Sequence, residues 1–396
     1  MPHRSPRPAR DLPRHLAPNW YASVMGTGIV AVAAVTLPVH VPGLRAAATV
    51  VWALAAALLV ALTALAAVHG RRRAAAHADH PVMAHFWGAP PMALMTVGAG
   101  TLTLGSDWIG ARAAVAVATA LWCAGTALGL LVAVAIPLRA VTRHAVAPDA
   151  AFGGWLMPVV PPMVSAATGA LLVPHAPAGQ VRLTLLLGCY ALFGVSLLAA
   201  LLVTAQLWDR LTHHGPGPAG MVPTLWIVLG PLGQSVTAAN ALGDAARHVL
   251  PGPYATGAEV FGLLYGLPVW GFAMLWLALA ATLTARTART ARGGLPFSLT
   301  WWSFTFPLGT CVTGTSALAA RTGATAFEAA AVALYAALVC AWATVATRTA
   351  RAAARGTLFP APTPTPPPAR SRVDGPLGVR AERQLTARQS GGSGTW

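Results

Sequence analysis

Ten stretches of this 396-residue chain are each apolar over a length that spans a bilayer: roughly 20–37, 45–68, 83–104, 111–136, 152–173, 182–207, 221–242, 258–283, 297–318 and 326–347. About 20 apolar residues in a helix cross the hydrocarbon core. The sequence therefore predicts an all-α integral membrane protein with ten transmembrane helices. Overall composition agrees, with 56% hydrophobic and 9% charged residues and a mean hydropathy of +0.62, far from the balance of a soluble domain. The opening MPHRSPRPARDLPRHLAP is rich in Pro and Arg, and no small-residue cleavage site follows it, so it is not read as a signal peptide.

The formal net charge of +16 raises the question of a nucleic-acid partner, and its placement answers it. All 26 basic residues are Arg. With the N-terminus in the cytoplasm, the termini and the even-to-odd connections carry 21 of them and the opposite face carries five. That is the positive-inside asymmetry of a multi-pass protein in the cell membrane with both termini cytoplasmic. The run Arg71, Arg72, Arg73 and the basic tail need no nucleic acid. The five remaining, Arg45, Arg112, Arg182, Arg247 and Arg321, lie near the external connections. They either form a basic funnel for anions or anchor helix ends at the interface.

The spans divide into two kinds. The five odd spans contain eight prolines, namely Pro90, Pro91, Pro158, Pro161, Pro162, Pro223, Pro231 and Pro307, whereas the even spans contain one, Pro268. Odd spans carry their breakers near mid-membrane, as MGTG (25–28), GAPP (88–91), MPVVPP (157–162), LGPLGQS (229–235) and FTFPLG (304–309). A proline frees a carbonyl, and in hydrocarbon such a group is tolerated only inside protein or beside a watery cavity. Strict alternation thus predicts five helical hairpins, with the odd, kinked helices inside around a central pore and the even ones outside. The alternative is that Gly and Pro only permit close helix packing. Pore-lining or kink positions are Gly26, Gly28, Pro90, Pro91, Pro161, Pro162, Gly230, Pro231, Gln234 and Pro307.

No Asp or Glu lies in a span interior, where a charge costs about 2.5–3.5 kcal/mol. The walls offer hydroxyls, Gln234, Asn240 and helix ends, which suit an anion better than a cation. Cys123, Cys189, Cys311 and Cys340 show no metal spacing and read as buried apolar thiols. His77, His80 and His85 read as an interfacial, solvated group. No cofactor or metal is expected. The chain divides into a cytoplasmic segment at 1–19, a transmembrane domain at 20–349 and a Pro/Arg-rich tail at 350–396 whose composition predicts disorder.

YASVMGTGIV (21–30), HFWGAPPM (85–92), WLMPVVPPMVSAATG (155–169), IVLGPLGQS (227–235) and WWSFTFPLGT (301–310), in this order, resemble the tellurite-resistance/dicarboxylate transporter family. That family includes fungal malate permeases, sulfite efflux pumps and plant slow anion channels. The resemblance covers about residues 20–347. It implies a homotrimer with one pore of five inner helices per subunit, and an aromatic gate on the ninth span that corresponds to Phe306. In the third span Ala-Pro-Pro stands where Phe-Pro is usual. Phe304 and Phe306 are about 200° apart on a helix, so only one of them faces the axis. The implied function is transport of a small anion, with C4-dicarboxylates such as malate first and sulfite, tellurite or another oxyanion behind. A polytopic membrane enzyme is the reading from another class.

Overall fold

The computed structural model describes residues 17–69, 77–143, 146, 147, 149–356 and 358, and all regular structure among them is helical. Among these described residues seven helical stretches are long and apolar enough to cross a membrane: Pro18–Thr36, Leu44–Val68, Ala111–Arg143, Gln180–His214, Ala219–Ala246, Gly252–Thr290 and Thr325–Ala354. The other three predicted spans are helical but interrupted, so none is one helix of crossing length.

Among the described residues, ten α-helices of twelve residues or more organise the fold. The odd segments hold α1 (Tyr21–Thr36), α3 (Ala89–Gly100), α5 (Pro161–Leu172), α7 (Leu229–Ala246) and α9 (Phe306–Thr322). Between them lie the longer α2 (Leu44–His69), α4 (Ala111–Arg143), α6 (Gln180–His214), α8 (Gly252–Thr290) and α10 (Thr325–Ala354). The last helix continues five residues past 349, where the tail was expected to begin. The remaining tail and N-terminal expectations fall on 357, 359–396 and 1–16, outside the described residues.

The prolines act differently from the expected mid-helix kink. Pro90 and Pro91, Pro161 and Pro162, and Pro307 sit in the first turns of α3, α5 and α9, where a missing N–H costs nothing and a fixed φ starts the helix. Upstream, the chain arrives as tighter 3-10 helix at Met83–Gly88, Gly153–Leu156, Ala219–Val228 and Leu299–Phe304. The third, fifth, seventh and ninth segments are therefore broken and restarted rather than bent, whereas α1 runs unbroken through MGTG, where a breaker was expected.

Contacts order the elements. The odd segments touch in sequence, α1 on α3, α3 on α5, α5 on α7 and α7 on α9, and α9 closes back on α1. Each even helix packs on the odd helix before it and on the one after, with α10 reaching α1. Burial follows this order: the windows of the first and seventh segments are 67% and 78% buried, those of the even helices 17% to 28%. The outward faces of the even helices carry large apolar side chains such as Val60, Leu131, Val134, Leu202, Leu264 and Leu275. Their exposure is stable against lipid and not against water, so the chain is a multi-pass membrane protein.

Glycine sets how close the helices come. A methyl group on Gly233 of α7 would lie 2.5 Å from the Cys311 nitrogen and 2.6 Å from the Thr310 carbonyl carbon of α9. One on Gly129 of α4 would lie 2.8 Å from Pro161 Cβ. Small residues that let backbones approach are the usual means of helix association in membranes.

Candidate functional site

Every odd segment contributes to one central cavity. Met25, Met92, Met157, Ile227 and Phe306 come from the first, third, fifth, seventh and ninth segments in turn, and Phe86, Val160, Gly230, Trp302 and Pro307 complete much of the wall. The wall is almost entirely apolar, and the space open to the centre of a water molecule is about 20 Å³. That is room for roughly one water, so the cavity is a constriction. Phe306 is 2% exposed.

The ninth segment is built to hold that ring in place. Thr305, with φ −97° and ψ −71°, joins the 3-10 turn to α9. Its hydroxyl donates to the Trp302 carbonyl at 2.7 Å, and the Thr310 hydroxyl donates to the Pro307 carbonyl at 2.6 Å. The Ser298 hydroxyl accepts from the Thr300 N–H at the start of the turn. These hydroxyls do for the interrupted backbone what water would do outside a membrane. Phe304 faces elsewhere: it meets Trp226 edge-on at 5.1 Å and Trp301 at 5.7 Å. The two phenylalanines thus point apart, as their spacing requires.

A second, polar cavity of about 520 Å³ lies where the odd helices end, lined in part by Thr36, Thr237, Asn240, Thr313 and Arg321. On α7, Gly230 lines the first cavity, and Thr237, Ala241 and Asp244 line the second. Gln234 falls between them on the same helical stripe, with spacings of four, three, four and three residues. It is 6% exposed, and among the described residues its amide makes no hydrogen bond. Asn240, which lines the second cavity, also donates to the Val236 and Gly262 carbonyls at 2.9 and 3.2 Å and ties α7 to α8.

The other positions singled out from the sequence are buried but differ in what they face. Gly26 abuts Thr305 and Trp302, and Gly28 abuts Thr96. Pro91 and Pro161 both lie against Gly129 of α4. Gly230 and Pro307 line the constriction, and a methyl built on Gly230 would lie 3.9 Å from Pro307 Cγ, in ordinary van der Waals contact. Pro90, Pro162 and Pro231 lie in the buried first turns of their helices.

The histidine and cysteine expectations change in part. His85 is 8% exposed rather than solvated, stacked on Trp155 at 5.9 Å and edge-on to Phe152 at 5.5 Å. His80 accepts from the Val82 and Met83 N–H groups through Nδ1. Cys189 and Cys311 are buried, but Cys123 and Cys340 are exposed: Cys311 lies on α9 and Cys189 on the inward face of α6, whereas Cys123 and Cys340 lie on the outward faces of α4 and α10.

The sequence left the five external arginines as either a basic funnel or anchors of helix ends. Four are committed to partners. Arg45 pairs with Asp107 at 2.6 Å, Arg182 donates to the Ala176 and Pro174 carbonyls, Arg247 pairs with Glu259, and Arg321 pairs with Asp244 at 2.8 Å. This favours helix anchoring over a free basic funnel. The residues that sequence reasoning missed are the methionines and Trp302 around Phe306. Their only signal is that Ala22 and Met25, and Met157 and Val160, recur at one-turn spacing on the axial face.

Residues 15–350 match the family model described as voltage-dependent anion channel. A sulfite efflux pump of Arthroderma otae is 28% identical over 328 residues, which cover 78% of this chain and 84% of that protein. A sulfite efflux pump of Trichophyton rubrum is 27% identical over 320 residues, again 78% and 84%. An uncharacterized transporter of Methanocaldococcus jannaschii is 28% identical over 305 residues, 76% of this chain and 83% of that one.

Proposed function

Because the chain belongs to the voltage-dependent anion channel family, we propose that it carries a small oxyanion through the ring of odd segments, with sulfite the first substrate. The observation that supports this most is the constriction itself, to which all five odd segments contribute and which Phe306 lines. In this reading all ten segments cross the bilayer as five hairpins, the interrupted third, fifth and ninth among them. Phe306 is the gate, Gln234 the polar group an anion meets beyond it, and the threonine-lined cavity the outer vestibule. Both termini are cytoplasmic, and three copies of the chain assemble, each with its own pore.

Sulfite stands first because named relatives are sulfite efflux pumps. A C4-dicarboxylate such as malate is the second reading, favoured by the two arginines, Arg247 and Arg321, that reach one vestibule. Transport is preferred to a membrane enzyme because the family is one of transporters and channels. Uptake of labelled sulfite, malate and nitrate into proteoliposomes tests the proposal. Saturable or voltage-driven sulfite entry supports it, and a protein that moves none of the three anions refutes it.

A further inference from the structure

Three charged residues that line the vestibule, Asp244, Arg247 and Arg321, join with Glu259 beside them in a chain of four groups that the sequence separates. Asp244 lies on α7 and Arg247 just after it, Glu259 on α8 and Arg321 on α9. Arg247 pairs through Nε with Glu259. Arg321 places Nη2 2.8 Å from Asp244 Oδ1, while its Nη1 is 3.7 Å from Glu259 Oε2. Glu259 is therefore committed first to Arg247, and Asp244 is the hydrogen-bonded partner of Arg321. The two ends of that pair differ sharply in burial: the Arg321 side chain is 17% exposed and the Asp244 side chain 64%.

The hydroxyls of Thr36, Thr237 and Thr313 at this cavity are already in use, whereas the buried Ser316 hydroxyl that also lines it has no hydrogen-bond partner among the described residues. The Thr36 hydroxyl donates to the Ala33 carbonyl. Thr237 and Thr313 share a hydrogen bond of 2.7 Å, and their remaining contacts are to the Gly233 and Thr310 carbonyls. A guanidinium has five N–H donors, and Arg321 is the more buried of the two arginines at the cavity.

We infer that Arg321 is an anion-binding site at the vestibule, and that Asp244 occupies it as an exchangeable stand-in for a small oxyanion or a carboxylate. The planar guanidinium matches two oxygens of such a group. Exchange is favourable because the guanidinium, largely buried, requires an anion, whereas the mostly exposed Asp244 is well solvated when it leaves. Glu259 and Arg247 hold the other edge of Arg321 in position. This assignment rests on the proposed transport function for its role, but not for its test.

Full-length protein in detergent is titrated with sulfite and, separately, with malate, and the anion-dependent rise in Tm gives an apparent Kd. Asp244→Asn removes the competing carboxylate and is expected to tighten binding of one or both probes by about three- to tenfold. Arg321→Gln is expected to weaken it by about tenfold or more, the factor for a lost charge-assisted hydrogen bond, and Arg321→Lys recovers part of that loss. Kd values within about twofold of wild type in both the Asn and Gln variants overturn the site. So does the absence of any anion-dependent shift in wild type and in Asp244→Asn. If Arg321→Gln fails to fold, the exposed Asp244→Asn change still decides the matter. The expected binding pattern without uptake in proteoliposomes leaves the site standing and refutes transport.

Discussion

Replacing Phe306 with alanine separates a gate from a core residue, because the two roles predict opposite results. The ring is 2% exposed and lines a constriction with about 20 Å³ open to water centres. At about 30 Å³ of liquid volume per water, removing a phenyl ring makes room for several more. An anion forced through an apolar constriction loses much of its hydration, at an effective cost of several kcal/mol. Recovering about 2–3 kcal/mol of this by wetting the passage raises flux roughly 30- to 160-fold. If the residue is only packing, the site collapses or stays dry, stability falls by about 3–5 kcal/mol and flux does not rise. The assay is sulfite and nitrate flux per folded protein in proteoliposomes, beside Tm in detergent. Unchanged or lower flux with a reduced Tm refutes the gate.

Phe304→Ala, which removes a ring held between Trp226 and Trp301 outside the constriction, leaves anion flux within about threefold of wild type; a rise matching that of the Phe306 variant shows the wrong ring was assigned. Gly233→Ala forces a methyl against the backbone of α9 and lowers stability by about 1–3 kcal/mol, whereas Gly188→Ala on α6, with nothing within 4 Å of the added group, is neutral or slightly stabilising; thermal unfolding of the two side by side checks the contrast. Asp107→Asn breaks an ion pair whose side chains are 55% and 52% exposed, so Tm reports a loss of less than about 1 kcal/mol.

The breaks in the third, fifth, seventh and ninth segments were legible because proline leaves a local, one-residue mark that does not depend on the rest of the fold, a mark the unbroken first segment lacks. The manner of the break was not. Pro90, Pro161 and Pro307 read equally well as kinks within a helix or as first turns of a new one, and only the 3-10 approach upstream distinguishes the two. Phe306 and Phe304 could be told apart by angle but not assigned to the axis from angle alone. The five arginines near the external connections were legible as charges and illegible as pairs, since Arg45 and Asp107 are 62 residues apart and Arg321 and Asp244 are 77 apart. A charge count along the chain carries no information about such partners. Gly26 and Gly28 show the same limit: a glycine records that something comes close, not whether it is a neighbouring helix or a passing anion.

The closing contact of the ring has a consequence for how the protein is made. The Trp342 indole of α10 donates to the Thr27 hydroxyl of α1 across 315 residues of sequence. A ribosome adding about 5–20 residues per second needs roughly 15–60 s to cover that distance. Throughout this interval α1 is already in the membrane with its broken neighbours unfinished, and the surface that α9 and α10 will cover faces lipid or the insertion machinery. Assembly is thus a circle drawn in one direction whose first and last strokes must meet, and such long-range closure is the slow kind of folding event. A ribosome that stalls before residue 297 releases an open arc, with the Met25 side of α1 left as a seam for another chain or a protease to find.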